Sequence, residues 1–270
     1  PATKQNLIQL EKFGNHIIPV DQGELASGLF GEGRMAEPEA IAGWITDFLN
    51  KGASLFGKKA FVPAGPTYEH IDPVRFMGNH SSGKMGIALA EELSRRGAAV
   101  TLVLGPVSLS VSLPDIKVIQ VLSADEMYQA CDACFDQMDL AIMAAAVADY
   151  TPVNKAEEKI KKKEDQLTIT LQKTRDILKS LGERKKPGQV LVGFALETNN
   201  EAANAREKLI SKKADMIVLN SLKDTGAGFG TDTNKITIFD KSGKQTDFDM
   251  KSKKAVAADI INSISSIYYA

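Results

Sequence analysis

The chain has 270 residues, enough for one large or two modest domains at about 100–200 residues each. Its 33 Lys+Arg stand against 34 Asp+Glu, a net charge of −1, so there is no global basic field to hold nucleic acid and any cationic site must be local. No apolar run approaches the roughly 18 residues of a membrane span, and two cysteines make no disulfide framework, which implies a soluble, cytoplasmic protein with neither nucleic-acid nor membrane partners.

The chain starts at Pro1 without a charged segment and apolar core of the export type, the pattern of a start inside a longer protein. In residues 1–53 the spacing predicts a short apolar strand over 16–20 and a glycine-rich stretch over 28–33. A helix is expected from Glu37 and Pro38 through Ile41, Trp44, Ile45 and Phe48. One strand and about one helix cannot close a core, so this part is not expected to be an independent domain. Lys51, Gly52, Ala53 and Ser54 form a polar, small-residue break, dividing the chain into 1–53 and 56–270.

From Lys58 onward apolar strands alternate with helix-period segments. Strands are expected over 60–64, 99–104, 117–121, 140–145, 190–194 and 216–219. Met85, Leu89 and Leu93 line one helix; Met127, Cys131, Cys134 and Phe135 line another. The pattern predicts an α/β fold, a Rossmann-like, mainly parallel sheet with helical crossovers and ligands at the carboxyl ends of its strands. Residues 159–163 (Lys-Ile-Lys-Lys-Lys) and 167–171 (Leu-Thr-Ile-Thr-Leu) read as the arms of an antiparallel, Lys-rich flap able to cover an anion. A strand over 235–239, a turn over 240–243, a second short strand and a helix carrying Val256, Ile260, Ile264 and Ile267 close the chain.

Three short motifs carry chemistry. Residues 31–36 match G-x-G-x-x-A, but no strand runs into Gly31 and no acid follows at ribose-binding distance, which disfavours a dinucleotide site. Cys131 and Cys134 form a C-x-x-C in mid-helix, where core packing explains them better than redox or zinc chemistry. Residues 78–85, Gly-Asn-His-Ser-Ser-Gly-Lys-Met, differ from a Walker A box in Met85, whose thioether is a poor Mg²⁺ ligand. Even so, Ser81, Ser82 and Gly83 precede a helix, so N–H groups, hydroxyls and a positive dipole end converge where an anion would bind, unless a serine merely caps the helix.

Upstream of that segment lie Gly65-Pro66-Thr67 and Asp72-Pro73-Val74-Arg75. Downstream come 144–150 (Ala-Ala-Ala-Val-Ala-Asp-Tyr), 158–162 (Glu-Lys-Ile-Lys-Lys), 193–199 (Gly-Phe-Ala-Leu-Glu-Thr-Asn) and Asp232-Thr233-Asn234. Over about 58–270 the sequence resembles the phosphopantothenoylcysteine synthetase family of coenzyme A biosynthesis. Residues 1–53 look like the C-terminal end of the flavin-dependent decarboxylase often fused ahead of that synthetase, with Ser27 where that family has a catalytic cysteine. FMN would belong to the full decarboxylase domain, and decarboxylation is not expected of this chain.

The resemblance implies a ligase that activates 4′-phosphopantothenate with CTP and Mg²⁺ as an acyl-cytidylate, releasing pyrophosphate, and then amidates it with L-cysteine, releasing CMP. It also implies a homodimer within a longer fused protein. A carboxylate attacking an α-phosphate meets like charge, so cations must neutralise the triphosphate. By resemblance Lys159 acts in acyl-nucleotide formation from the flap. Lys208 and Lys212, at i and i+4 on a predicted helix, contact the triphosphate. Nucleotide contacts fall on Met143, Ala144, Ala145, Asp149, Phe194 and the turn Arg175, Asp176, Ile177, Leu178, although Thr174-Arg175 replaces the family's Asn-Pro. Asn79 is the neutral donor for the oxyanion of the second step, while Arg75, with Ser81, Ser82 and Gly83, is placed on the pantothenate substrate. Two other classes stay open: an NAD(P)-dependent oxidoreductase on the same fold, and a non-catalytic nucleotide-binding partner of the decarboxylase.

Overall fold

The computed structural model describes residues 2–24, 30–50, 54–161, 166–197, 199–221 and 230–269, and the chain divides into two units, Pro1–Ala53 and Ser54–Ala270. In the first, α1 (Ala2–Lys12) is followed by the antiparallel pair β1 (Asp21–Glu24) and β2 (Phe30–Arg34), then α2 (Pro38–Asn50). α2 runs where its periodicity predicts. The strand expected over 16–20 is absent: Pro19 has no N–H for a ladder, and the pairing falls on the polar residues just beyond it. His16, Trp44 and Phe48 form a small aromatic cluster, with Trp44 stacked on Phe48 at 5.3 Å. α1 buries none of its residues, and Ala36 is the buried apolar side chain among the described residues of this unit.

The second unit opens with β3 (Lys59–Ala64), the hairpin β4 (Tyr68–His70) and β5 (Phe76–Gly78), α3 (Lys84–Arg95), β6 (Ala99–Leu104) and β7 (Lys117–Gln120). It continues through α4 (Ala124–Phe135), β8 (Leu140–Met143), the pair β9 (Tyr150–Pro152) and β10 (Leu171–Lys173), α5 (Ile177–Arg184), β11 (Val190–Glu197) and α6 (Glu201–Ser211). Then follow β12 (Met216–Ser221), β13 (Thr233–Asn234), β14 (Ile236–Asp240), β15 (Gln245–Asp247), β16 (Lys251–Ser252) and α7 (Lys253–Tyr268).

Eight strands make the central sheet in the order β15-β14-β12-β11-β8-β3-β6-β7; β7 through β12 run parallel, with β14 and β15 antiparallel at one edge. Each parallel strand except the exposed edge strand β7 is largely apolar on both faces, as a sheet covered on both sides requires. Val62, Leu102, Ile142, Val192 and Val218 face Leu89 and Leu93 of α3 and Val256, Ile260 and Ile264 of α7. Their neighbours Phe61, Val103, Ala141, Leu191 and Ile217 face Met127, Cys131 and Phe135 of α4, Leu181 of α5 and Leu209 of α6. The expected Rossmann-like architecture is therefore the one observed.

Three local expectations are corrected. β8 stops at Met143, because Ala144 N–H turns to Pro63 O (3.2 Å) and Ala146 N–H to Gly65 O (2.9 Å). The flap arms do not pair as expected: Leu171–Lys173 lies against Tyr150–Pro152, extended by Val153 N–H to Thr170 O (3.0 Å), and the described residues between belong to no strand. A row of lysines offers no apolar cross-strand partner to the alternating arm, whereas the Tyr150–Val153 stretch does. Ile267 is exposed, and α7 buries Ile261 instead.

Candidate active site

The order of the parallel strands reverses direction between β3 and β8, so the loops leaving their carboxyl ends part and open a crevice. Its floor is the contact between those loops: Pro66 bridges Ala146, and Thr67 Oγ1 accepts from Ala148 N–H at 3.0 Å. The N-terminus of α3 enters from one side. Its N-cap is Gly83, at φ 73°, and no side chain caps the helix; Ser81 Oγ accepts only a long bond from Gly83 N–H (3.4 Å). The serine-cap alternative is thereby set aside, and the first-turn N–H groups point into the crevice without a side-chain acceptor. A Cβ at Gly83 would lie 2.9 Å from Val107 Cγ1 in a backbone conformation that L side chains avoid.

Two cavities share this crevice. The first, about 540 Å³, is lined by Asn79, His80, Ser81, Ser82 and Gly83 before α3, by Ala144 and Ala145 after β8, and by Phe194 and Asn220 from β11 and β12. The second, about 550 Å³, is lined by Met143, Asp176, Ile177, Leu178 and Lys212. Ala145, Asp149, Phe194 and Lys208 border both. The small side chains of Ala144, Ala145 and Ala146 after β8 line the first cavity and leave backbone open to it.

The electrostatics are local and cationic. Burial presses the Lys208 ammonium below its ordinary pKa, while Glu197, Asp176 and Asp149 act to keep it charged. Lys212 Nζ sits 2.6 Å from Asp176, whose side chain also caps α5 by accepting from Lys179 N–H at 2.9 Å. Burial pushes the Asp176 carboxyl up, but the bonds from Lys212 and Lys179 and the charge of Lys208 outweigh it and hold it below the usual carboxylate value. Asn79 Nδ2 donates to Val147 O at 2.9 Å and to Ala146 O at 3.4 Å, which pins its carboxamide across the crevice.

Three expected site residues border neither cavity among the described residues. Arg75 turns to Asp72, with Nε 3.0 Å from Oδ2, and also donates to Ile160 O at 2.8 Å. Its guanidinium holds the Asp72 carboxyl well below the usual range, and Asp72 Oδ2 accepts from Ile160 N–H at 3.1 Å. Arg75 is thus a tether for the root of the flap, not a wall of the crevice. Lys159, next to that tether, is exposed. Arg175 stacks over Tyr128 of α4, 4.8 Å from the ring centre, where the guanidinium meets the π face of the ring.

Lys162, Lys163 and Ser27 lie outside the described residues. Cys131 is buried in the core, and burial pushes its thiol pKa up, as the packing reading expects. Residues 31–36 lie on β2 and the loop after it, not at a strand-to-helix turn. No group of three or more metal-ligating side chains occurs among the described residues. Sequence reasoning missed Asn220, whose buried Oδ1 has no hydrogen-bond partner and which lines the first cavity. A polar residue directly after the apolar run of β12, at a strand's carboxyl end, was the available signal.

A family model described as the DNA/pantothenate metabolism flavoprotein C-terminal domain matches residues 55–268. The chain belongs to this family. Curated relatives are similar to the chain along nearly its whole length. It is 44% identical over 269 residues to the coenzyme A biosynthesis bifunctional protein CoaBC of Bacillus subtilis (strain 168), covering 99% of this chain and 66% of that one. It is 54% identical over 273 residues to a protein named cysteine/cysteine sulfinic acid decarboxylase from an unknown prokaryotic organism, covering 100% of this chain and 76% of that one. The crystal structure of the C-terminal domain of a coenzyme A biosynthesis bifunctional protein CoaBC superimposes with a TM-score of 0.68 at 42% identity, covering 80% of this chain and 98% of that one. The chain therefore spans about two thirds to three quarters of the length of these curated relatives.

Proposed function

We propose that this chain is a phosphopantothenate–cysteine ligase of coenzyme A biosynthesis. It joins 4′-phosphopantothenate to L-cysteine through an acyl-cytidylate formed from CTP, with loss of pyrophosphate and then of CMP. The observation that carries this reading is the pair of joined cavities at the point where the strand order reverses, with an uncapped helix N-terminus on one and Lys208 with Lys212 on the other. The family match and the CoaBC relatives supply the reaction class.

Lys208 and Lys212 neutralise the triphosphate so that the pantothenate carboxylate can reach the α-phosphorus. Met143, Ala144, Ala145, Phe194 and the Asp176–Leu178 turn hold the nucleoside. Lys159, exposed beside the Arg75–Asp72 tether of Ile160, supplies a further positive charge to the phosphates during acyl-cytidylate formation. When the cysteine amine attacks the acyl carbon, Asn79 donates the N–H held by the longer bond, that to Ala146 O, to the oxyanion.

Mg²⁺ would be held by the triphosphate oxygens with Asp149, a donor set suited to that hard cation, and would supply further charge neutralisation. Homodimerisation and fusion to an FMN-binding decarboxylase domain belong to the same reading, and no step of the ligase reaction uses FMN. The test is to incubate the chain with CTP, 4′-phosphopantothenate and cysteine and to quantify CMP, pyrophosphate and amide product. Equal amounts of all three are expected. Nucleotide bound but not consumed would favour the non-catalytic partner, and nicotinamide binding the oxidoreductase.

A further inference from the structure

The loop between β5 and α3 is clamped on both sides of His80. A Cβ on Gly78 would lie 2.6 Å from Thr67 O and one on Gly83 2.9 Å from Val107 Cγ1, so the chain is pressed against its neighbours at both places. Between them the Asn79 carboxamide is held by Val147 O and Ala146 O. His80 thus springs from a fixed backbone, and its imidazole lines the first cavity beside Asn79. The residue is exposed, and among the described residues no hydrogen bond, ion pair or ring contact engages its side chain. Nor does it cap α3, which has no side-chain cap. Both ring nitrogens are therefore available to whatever enters the cavity.

Resting on the ligase reading, the second step needs a proton acceptor that the residues assigned so far do not supply. An α-amino group is largely an ammonium at neutral pH and attacks only as the free amine. As its nitrogen bonds to the acyl carbon, the carbon–oxygen bond to CMP breaks and leaves its electron pair on the phosphate oxygen. The nitrogen then gives up a further proton to become an amide. CMP departs as an anion and takes no proton, so the proton goes to the protein and on to water. Lys84, Lys208 and Lys253 face the first cavity, and the reaction needs them as cations. Of the other described side chains lining it, Asp149 and His80 are the ones that accept a proton near neutral pH, and Asp149 is committed to Mg²⁺ in the same reading. We propose that His80 is the general base of amide formation. Its imidazole takes the proton from the cysteine nitrogen at the same acyl carbon whose oxyanion Asn79 stabilises, and returns it to the solvent in which the side chain lies.

The test is a two-stage, single-turnover assay of the whole chain with the His80→Gln variant beside it. CTP and 4′-phosphopantothenate are added first and pyrophosphate is followed; a nucleophile is then added and the acyl product is followed. With cysteine, His80→Gln should form amide about a hundredfold more slowly than the wild type, the lower end of what a lost general base costs, and added imidazole should restore part of that rate. Hydroxylamine is uncharged at neutral pH and attacks activated acyl groups without a base, so the variant should form hydroxamate within about twofold of the wild-type rate. Cysteine and hydroxylamine slowed alike, with no response to imidazole, would show that His80 merely shapes the site and would overturn the proposal. Undiminished amide formation with cysteine would overturn it as well. In either case pyrophosphate release by the wild type keeps the ligase reading standing, whereas a wild type that releases none fails that reading and takes the proposal with it.

Discussion

Lys208 carries its charge at a cost to the unliganded fold, since burial disfavours the ammonium and its pKa is lowered in the folded chain. The penalty is complete below that lowered value, where folded and unfolded chains are both protonated, and is relieved as pH rises from it toward the ordinary lysine range. Lys208→Met should therefore melt higher than the wild type at neutral pH, with an advantage that shrinks on the alkaline side, while its affinity for CTP drops. Thermal unfolding across pH with parallel nucleotide titration checks both; a Met variant that melts lower at neutral pH would contradict the burial argument. In the wild type, nucleotide affinity should begin to fall at a lower pH than for an ordinary lysine, and Lys208→Arg should keep it. A second contrast separates the two chemical steps. Asn79→Ala should still release pyrophosphate but make little amide, whereas Lys159→Gln should lose pyrophosphate release itself; loss of both steps alike in Asn79→Ala would remove the role assigned to its carboxamide. The sequence shows which residue types such chemistry needs, but not that Arg75 is spent on Asp72 or Arg175 on Tyr128, because those partners are set by loop packing.

At the scale of elements, α3 lies so close to β3 that a Cβ on Gly86 would fall 2.3 Å from Ala64 Cβ. Gly86→Val should force the helix outward, costing about 1–3 kcal/mol as overpacking does and moving the N–H groups of its first turn. Urea unfolding together with pyrophosphate titration measures both effects, and an unchanged unfolding midpoint would show that the helix gives way freely. The parallel strands were legible because burial on both faces writes continuous apolar runs such as Ala60–Ala64 and Met216–Leu219. The flap was not: Leu167–Leu171 alternates plainly, but alternation names no partner, and the lysines proposed for it lost to Tyr150–Pro152. α1 and β1 were silent because neither buries an apolar face that would set a period.

At the scale of the whole molecule, the two units differ in what holds them. Ser54–Ala270 contains both apolar clusters that sandwich the sheet, whereas the described part of Pro1–Ala53 buries almost no apolar side chain. Hydrogen exchange should therefore find amides of α1, β1 and β2 exchanging rapidly while those of β3, β8 and β11 are strongly protected. Equal protection in both units would show that the first has support its own residues do not supply. The Lys51–Ser54 break marks this division in the sequence because small and polar residues cannot join a core.

The place where the strand order reverses has a mechanical consequence. β3 and β8 are matched through only two residue pairs, Ala60 with Leu140 and Phe61 with Ala141, while β3 and β6 share six. The regular ladder is short there, and beneath the crevice the two chains stay joined irregularly, through Ala144 N–H to Pro63 O, Ala146 N–H to Gly65 O and the Pro66–Ala146 bridge. A ligand that spans both cavities, from α3 to Lys212, would act as a rivet across that irregular junction, making the substrates structural members of the fold that binds them.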